Sequence, residues 1–181
     1  MESLFPVNVY CITEKGEKAL EPYSIIEDNN AHSLGVSYYR LLQEKEKNPG
    51  KDNNDILEEI LLEDIQCCYR EQNQSDYQTK ITTAARFFHE IGKDRLSFEY
   101  YSLSFFMWTR DITRFEIERP DTQSYYISKN LEDSGKFCGY DLDRIIQSFQ
   151  STILEKNPFG LGTPDNIKYS LQIFKKSLGI K

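Results

Sequence analysis

With 181 residues, of which 39% are hydrophobic and 28% charged, the chain has the size of one globular domain and more apolar surface than a disordered chain. Its net charge of −7 disfavours binding to nucleic acid or anionic lipid, and no run approaches the roughly 18 apolar residues of a membrane span. Residues 1–6 show neither the basic segment nor the apolar run of a secretory signal, so we expect a single cytoplasmic domain over residues 1–181.

The first part of the chain is predicted to hold a short strand followed by two helices. Residues 5–13 alternate apolar and polar side chains of β-branched and aromatic types, which indicates a strand. A helix is expected to run to about Lys47, where the Asn-Pro-Gly of residues 48–50 stops it. Apolar residues at steps of three and four over residues 52–72 then predict an amphipathic helix.

Two further helices are expected in the middle of the chain. Ser75 or Asp76 can cap the first of them, which breaks at Gly92. Asp94 can cap the second, which is expected to run to about Thr109. Aromatic residues at helical spacing support this second helix, although some of its residues also suit a strand.

The remaining segments predict a connection and two helices. Residues 110–119 fit either a helix or a strand, and residues 120–139 contain Pro, Gly, Ser and Asp, which predicts an irregular connection with a short strand at 125–128. Asp141 and Thr163 are expected to start the last two helices. The predicted fold class is therefore mainly α, a compact irregular bundle of about six helices with short strands at the N-terminus and near 125–128.

The segment over residues 77–110 resembles one tetratricopeptide repeat. The residues that carry the resemblance are Ala85, Phe88, Ile91, Gly92, Ser97, Tyr100, Tyr101, Ser104 and Phe105. In that family small residues let two antiparallel helices approach, a glycine closes the turn and aromatic residues fill the seam. The resemblance implies a groove that binds a peptide or a protein partner. Since no second repeat follows at the family's period, an ordinary helical hairpin is the alternative interpretation.

The sequence contains no catalytic or metal-binding motif. Neither His32 nor His89 has the second histidine four positions on that a helical zinc site needs. The four cysteines lack both zinc-site and disulfide-framework spacing, which predicts reduced, mostly buried thiols. We therefore expect no catalytic residue, metal or cofactor. A cysteine brought next to a histidine by the fold is the enzymatic alternative.

Basic and aromatic residues between positions 110 and 126 form a candidate ligand site. Its members are Arg110, Arg114, Tyr125 and Tyr126. Guanidinium groups bind carboxylate or phosphate and aromatic faces stack, so this group predicts a site for an anionic small molecule. Acidic residues interleaved with the arginines allow the alternative that these side chains form surface ion pairs.

An acidic run in the helix predicted over residues 52–72 is the candidate partner-binding face. The residues assigned to it are Asp55, Glu58, Glu59, Glu63 and Asp64. A run of acids without a base projects a negative field toward a partner with a basic surface, whereas a solvated face that complements the helix dipole is the alternative. The favoured function is a non-enzymatic regulator, adaptor or inhibitor that binds another protein through an acidic, aromatic-rich face. An enzyme or small-molecule sensor at the arginine–tyrosine group is the runner-up.

Overall fold

The computed structural model describes residues 38–110 and 122–180, which form seven α-helices and no strand. In chain order the helices are α1 Tyr38–Lys47, α2 Asn53–Arg70, α3 Gln74–Glu90, α4 Asp94–Arg110, α5 Thr122–Phe137, α6 Leu142–Lys156 and α7 Pro164–Ser177, with a 3₁₀ turn at Pro158–Gly160. The predicted mainly α fold class is confirmed. The strand expected at residues 5–13 lies outside the described residues. None of the described helices is long and apolar enough to cross a bilayer.

Side-chain caps fix where three of the predicted helices begin. The Asp52 carboxylate accepts a hydrogen bond from the backbone N–H of Asn54 at 2.8 Å, and Asp141 caps α6 in the same way through Arg144 N–H. Thr163 caps α7, as the sequence predicted. The expected cap of α3 at Ser75 or Asp76 is wrong, because Asn73 lies earlier and its side chain accepts from the Asp76 N–H at 3.2 Å.

Helices α3 and α4 form the antiparallel hairpin that the sequence pattern at 77–110 predicted. Gly92 closes the turn with a φ of +75°, a backbone conformation that residues with a Cβ rarely adopt. The two helices approach closely at Ala85, which is fully buried. There the hydroxyl of Ser97 donates a hydrogen bond to the Ala85 carbonyl oxygen at 2.8 Å. Small residues at the crossing therefore bring the two backbones together.

Helix α4 is the central element of the fold, because it contacts α3, α5, α6 and α7. The ring of Phe105 meets Phe149 of α6 and Phe174 of α7 edge-on, with centroids 5.9 Å apart in both pairs. Near the C-terminal end of α4, the hydroxyl of Thr109 lies 2.6 Å from the hydroxyl of Ser170, and this contact joins α4 to α7. One hydrophobic core thus runs through all the described helices.

Within the segment 120–139, Thr122–Phe137 is a helix, so both the irregular connection and the short strand predicted at 125–128 are wrong there. The small residues that suggested a loop are packing residues. Ser124, Ser128 and Gly135 are buried on one side of α5, with Leu131 between them at helical spacing. A Cβ on Gly135 would overlap the side chain of buried Ile145 in α6, so the glycine permits a close helix–helix contact. The sequence predicted six helices, and α5 is the additional one among the seven that the structure describes.

Candidate functional site

The candidate partner-binding face on α2 is bound to bases within the chain. The Asp64 carboxylate accepts hydrogen bonds from Arg40 of α1 and, at 2.8 Å, from Lys80 of α3. Burial raises the pKa of Asp64, but the hydrogen bonds from Lys80 and Arg40 outweigh it and hold the pKa below its usual value. Glu63 pairs with the same Arg40 at 2.8 Å. The two acids therefore link three helices.

Two more acids of this face also have bases beside them. Glu58 pairs with Lys93 from the turn before α4, and Glu59 pairs with Lys51. Asp55 is exposed and makes no ion pair within the described part of the chain. The run is acidic in sequence, but bases from other elements neutralise most of it in space. Of the predicted face, Asp55 alone is an acid without a described basic partner.

The predicted arginine–tyrosine group is not assembled by any contact among residues 38–110 and 122–180. Arg110 donates a hydrogen bond to the side-chain oxygen of Asn166 in α7 at 2.8 Å. Tyr125 and Tyr126 are exposed on α5, and their rings meet each other edge-on with centroids 5.7 Å apart. Arg114 lies outside the described residues. The structure thus places Arg110 at a helix–helix junction and the two tyrosines on a solvent-facing surface.

The structure instead contains a half-open cavity between α2, α3, α4 and the end of α6, which we name the tyrosine cavity. Its volume is about 450 Å³, within the range of about 300–1,000 Å³ typical of ligand pockets. The residues that line it are Ile65, Gln66, Tyr69, Arg70, Tyr77, Leu96, Glu99, Tyr100, Leu103 and Lys156. Three tyrosines among apolar side chains give this concave surface an aromatic wall.

Aromatic packing holds the wall of the tyrosine cavity in place. The ring of Phe159, from the 3₁₀ turn, lies 4.9 Å from Tyr69 and 5.0 Å from Tyr77 between centroids. Tyr77 is only 6% exposed, whereas Tyr69 is 39% exposed at the mouth. Because ring–ring contacts restrict side-chain motion, this wall is largely preformed.

Two tyrosines of the cavity, buried Tyr77 and partly buried Tyr100, present phenol groups without a hydrogen-bond partner among the described residues. Burial raises the pKa of Tyr77 to about 12 and that of Tyr100 to about 12, so both hydroxyls stay protonated at neutral pH. Neither hydroxyl makes a hydrogen bond within the ranges that the structure describes. A phenol can donate one hydrogen bond and accept others. The cavity therefore offers two hydrogen-bonding groups to an occupant.

The rim of the tyrosine cavity is charged and mainly basic. Lys156 lies 4.0 Å from the carboxylate of Glu99, which Arg95 also approaches at 3.6 Å. Arg70 makes no ion pair with any described residue. An anionic group next to an occupant of the cavity would meet Arg70 and Lys156.

Sequence reasoning missed this cavity because its residues come from four separate elements. Tyr100 alone was singled out, as part of the hairpin pattern at 77–110. The apolar stripe predicted over residues 52–72 contains Ile65 but does not include Tyr69. Neither pattern indicates that Lys156, at the end of α6, closes the rim.

The described cysteines and histidine do not form a catalytic arrangement. Cys67 donates a hydrogen bond to Glu71 at 3.3 Å, which raises the pKa of the thiol. His89 approaches Asp94 at 3.1 Å and lies against the ring of Phe137. Across residues 38–110 and 122–180, no cluster of three or more His, Cys, Asp or Glu side chains can hold a metal ion. None of these cysteine or histidine side chains is among the residues that line the tyrosine cavity.

Comparison of the chain with protein-family models, with curated proteins and with solved structures found no match. The tetratricopeptide resemblance therefore stays a prediction, because the hairpin of α3 and α4 fits an ordinary helical hairpin equally well.

Proposed function

We propose that the protein is a non-catalytic protein-binding module that takes an anchor side chain of a partner protein into the tyrosine cavity. The observation that carries this proposal is the pair of phenol groups of buried Tyr77 and partly buried Tyr100, which line the cavity and make no hydrogen bond within the described residues. Binding energy in protein interfaces concentrates in a few large side chains that fill such pockets.

The lining specifies the chemistry of the anchor. Leu96, Leu103 and the tyrosine rings favour a flat apolar or aromatic body, and the phenols favour an anchor that also carries a hydrogen-bonding group. Arg70 and Lys156 favour an acidic residue beside the anchor. A tyrosine or tryptophan next to an aspartate or glutamate fits these requirements.

The acidic residues of α2 have a secondary role in this proposal. Because most of them are paired with bases of the same chain, a basic partner would have to displace those bases to reach them. The net charge of −7 still attracts a partner with a basic surface over longer distances. The protein would regulate or inhibit that partner if the surface of the partner that it covers contains the partner's own active or binding site.

The test is quantitative affinity capture from a lysate of the organism that makes the protein, with three baits. Wild type is compared with Leu96→Trp, which fills the cavity, and with Asp55→Lys, which reverses an exposed acid without breaking a described ion pair. Circular dichroism and the unfolding midpoint establish that each variant folds. A partner that Leu96→Trp loses and Asp55→Lys keeps supports the proposal. A partner lost only with Asp55→Lys assigns binding to the acidic face, and equal capture by all three rejects both.

A small-molecule sensor is the second candidate function, since the cavity also has the size of a ligand pocket. In that case the ligand is an aromatic carboxylate or phosphate that contacts the phenols and Arg70. Thermal-shift measurement with a panel of aromatic acids distinguishes the two candidates, because a ligand that binds only the folded state raises the unfolding midpoint. A midpoint shift in wild type that Leu96→Trp lacks would favour the sensor.

A further inference from the structure

A second concave surface lies between the antiparallel helices α6 and α7. This α6–α7 groove has a volume of about 900 Å³. Its apolar part is formed by Ile146 and Leu154 of α6 and by Ile167 and Leu171 of α7. Leu154 is 55% exposed, so part of this apolar surface faces solvent. The groove is therefore an apolar surface that no described helix covers.

Two lysines beside this apolar surface make no ion pair with any described residue. Lys168 and Lys175 line the groove, and neither makes an ion pair within the described residues. No acidic side chain is among the described residues that line the groove. In a chain of net charge −7, a basic and apolar concave surface is an exception to the overall charge. An acidic partner matches it by charge and by shape.

We propose that the α6–α7 groove binds an amphipathic helix of a partner protein that carries acidic residues along one edge of its apolar stripe. Lys168 and Lys175 are seven positions apart on α7, which is two turns or about 10.5 Å. Acidic residues at i and i+7 of the partner helix have the same separation. Apolar residues at i+3 and i+4 then lie over Leu171 and Leu154, as in other helix-in-groove complexes.

The shape of the surface favours a helix over an anionic membrane. A membrane presents the same negative charge, but as a plane it would contact the two helix rims more than the apolar floor between them. A third helix laid along two antiparallel helices contacts the floor and both rims together, as helices do in bundles.

The groove and the tyrosine cavity are separate sites. Leu154 and Lys156 are two positions apart on α6, which places them about 200° apart around the helix axis. Leu154 contributes to the groove, and Lys156 contributes to the rim of the cavity. A change in one site can therefore be tested while the other stays intact, and the two proposals stand or fall independently.

The test uses two fluorescent designed peptides of about 20 residues, long enough to form a helix when bound. Both carry leucine at i+3 and i+4, one has glutamate at i and i+7, and the other has lysine there. Fluorescence anisotropy measures their binding to the full chain. We expect the acidic peptide to bind wild type at least about five-fold more tightly than the basic peptide. Equal binding of the two peptides, or no binding of the acidic one, overturns the proposal.

Neighbouring lysines give a matched pair of variants. Lys175→Glu should lower the affinity for the acidic peptide by about five-fold, because an attraction between opposite charges becomes a repulsion. Lys176→Glu makes the same change at the next position, outside the groove lining, and should alter affinity by less than about two-fold. Leu96→Trp in the tyrosine cavity should leave peptide binding unchanged. Equal effects of the two lysine variants overturn the proposal. Displacement of the peptide by phosphatidylserine vesicles would likewise overturn it and assign the groove to membranes.

Discussion

Lys80 of α3 donates a hydrogen bond to Oδ2 of Asp64 in α2 at 2.8 Å, and the Arg40 guanidinium of α1 donates to Oδ1 of the same carboxylate. One carboxylate therefore connects three consecutive helices. The Asp64 side chain is 19% exposed, so water screens these interactions less than it screens an open surface pair.

The Asp64 network predicts an acid-dependent part of the stability. Because the folded state holds the pKa of Asp64 below its unfolded value of about 3.9, its stabilisation is complete above that value and is lost as the pH falls toward the folded-state pKa. Asp64→Asn should lower the free energy of unfolding by about 1–2 kcal/mol near pH 7. Urea unfolding of both proteins at several pH values measures the difference. It should shrink below about pH 4, and a difference that grows there would contradict this role.

Gly135 predicts a packing effect inside a helix. Replacing glycine by alanine normally stabilises a helix by about 1 kcal/mol. At position 135, however, the new Cβ would lie 2.8 Å from Ile145 Cδ1 and 3.3 Å from Phe98 Cε2. Both neighbours are buried and cannot move away freely. Gly135→Ala should therefore destabilise the protein by about 1–3 kcal/mol in chemical denaturation.

Gly50→Ala is the control for this substitution, since no atom lies within 4 Å of a Cβ at position 50. It should leave the free energy of unfolding unchanged or raise it by less than about 1 kcal/mol. Equal losses in the two variants would show that crowding at Ile145 is not the cause.

The hydroxyl pair of Thr109 and Ser170 should make a measurable contribution to the contact between α4 and α7. Thr109→Val keeps the shape of the side chain and removes the hydroxyl that lies 2.6 Å from Ser170. We expect a loss of about 1 kcal/mol in the free energy of unfolding, because Ser170 still donates to the Asn166 carbonyl at 3.1 Å. The exposed Thr79→Val removes a hydroxyl that donates to the Ser75 carbonyl at 3.2 Å, and it should change stability by less than about 0.5 kcal/mol.

Cys67 should react slowly with alkylating agents for a local electrostatic reason. Its hydrogen bond to Glu71 and the negative charge of that carboxylate raise the pKa of the thiol, and only the thiolate is nucleophilic. Glu71→Gln should increase the rate of iodoacetamide labelling at Cys67 by roughly three-fold, measured by peptide mass spectrometry. Labelling of Cys138, where burial raises the pKa, is the internal control and should not change.

The parts of the fold that the sequence predicted correctly depend on local chemistry. Asp141 and Thr163 cap helices because each can accept a hydrogen bond from an N–H three positions later. The prediction failed at 120–139, where serine and glycine are frequent. Their role at Ser128 and Gly135 is to let α5 lie close to its neighbours, and composition alone cannot separate that role from a turn.

The candidate sites depend on contacts between distant segments, which explains why sequence reasoning did not find them. Glu58 and Glu59 are part of an acidic run in sequence, whereas Lys93 and Lys51 reach them only in the folded chain. The tyrosine cavity likewise needs Tyr69, Tyr77 and Tyr100 from three different helices. A pattern along one helix predicts which side is apolar, but not which cavity that side will border.

Site-specific photo-cross-linking at the mouth of the tyrosine cavity tests the central proposal most directly. A benzophenone amino acid replaces Tyr69 at the mouth or, as a control, Tyr126 on the exposed surface of α5. After irradiation in the native lysate, mass spectrometry identifies any adduct. We expect a discrete protein adduct at position 69 that the second substitution Leu96→Trp abolishes and that position 126 does not form. The same adduct at both positions, or one that persists when the cavity is filled, would contradict a binding role for the tyrosine cavity.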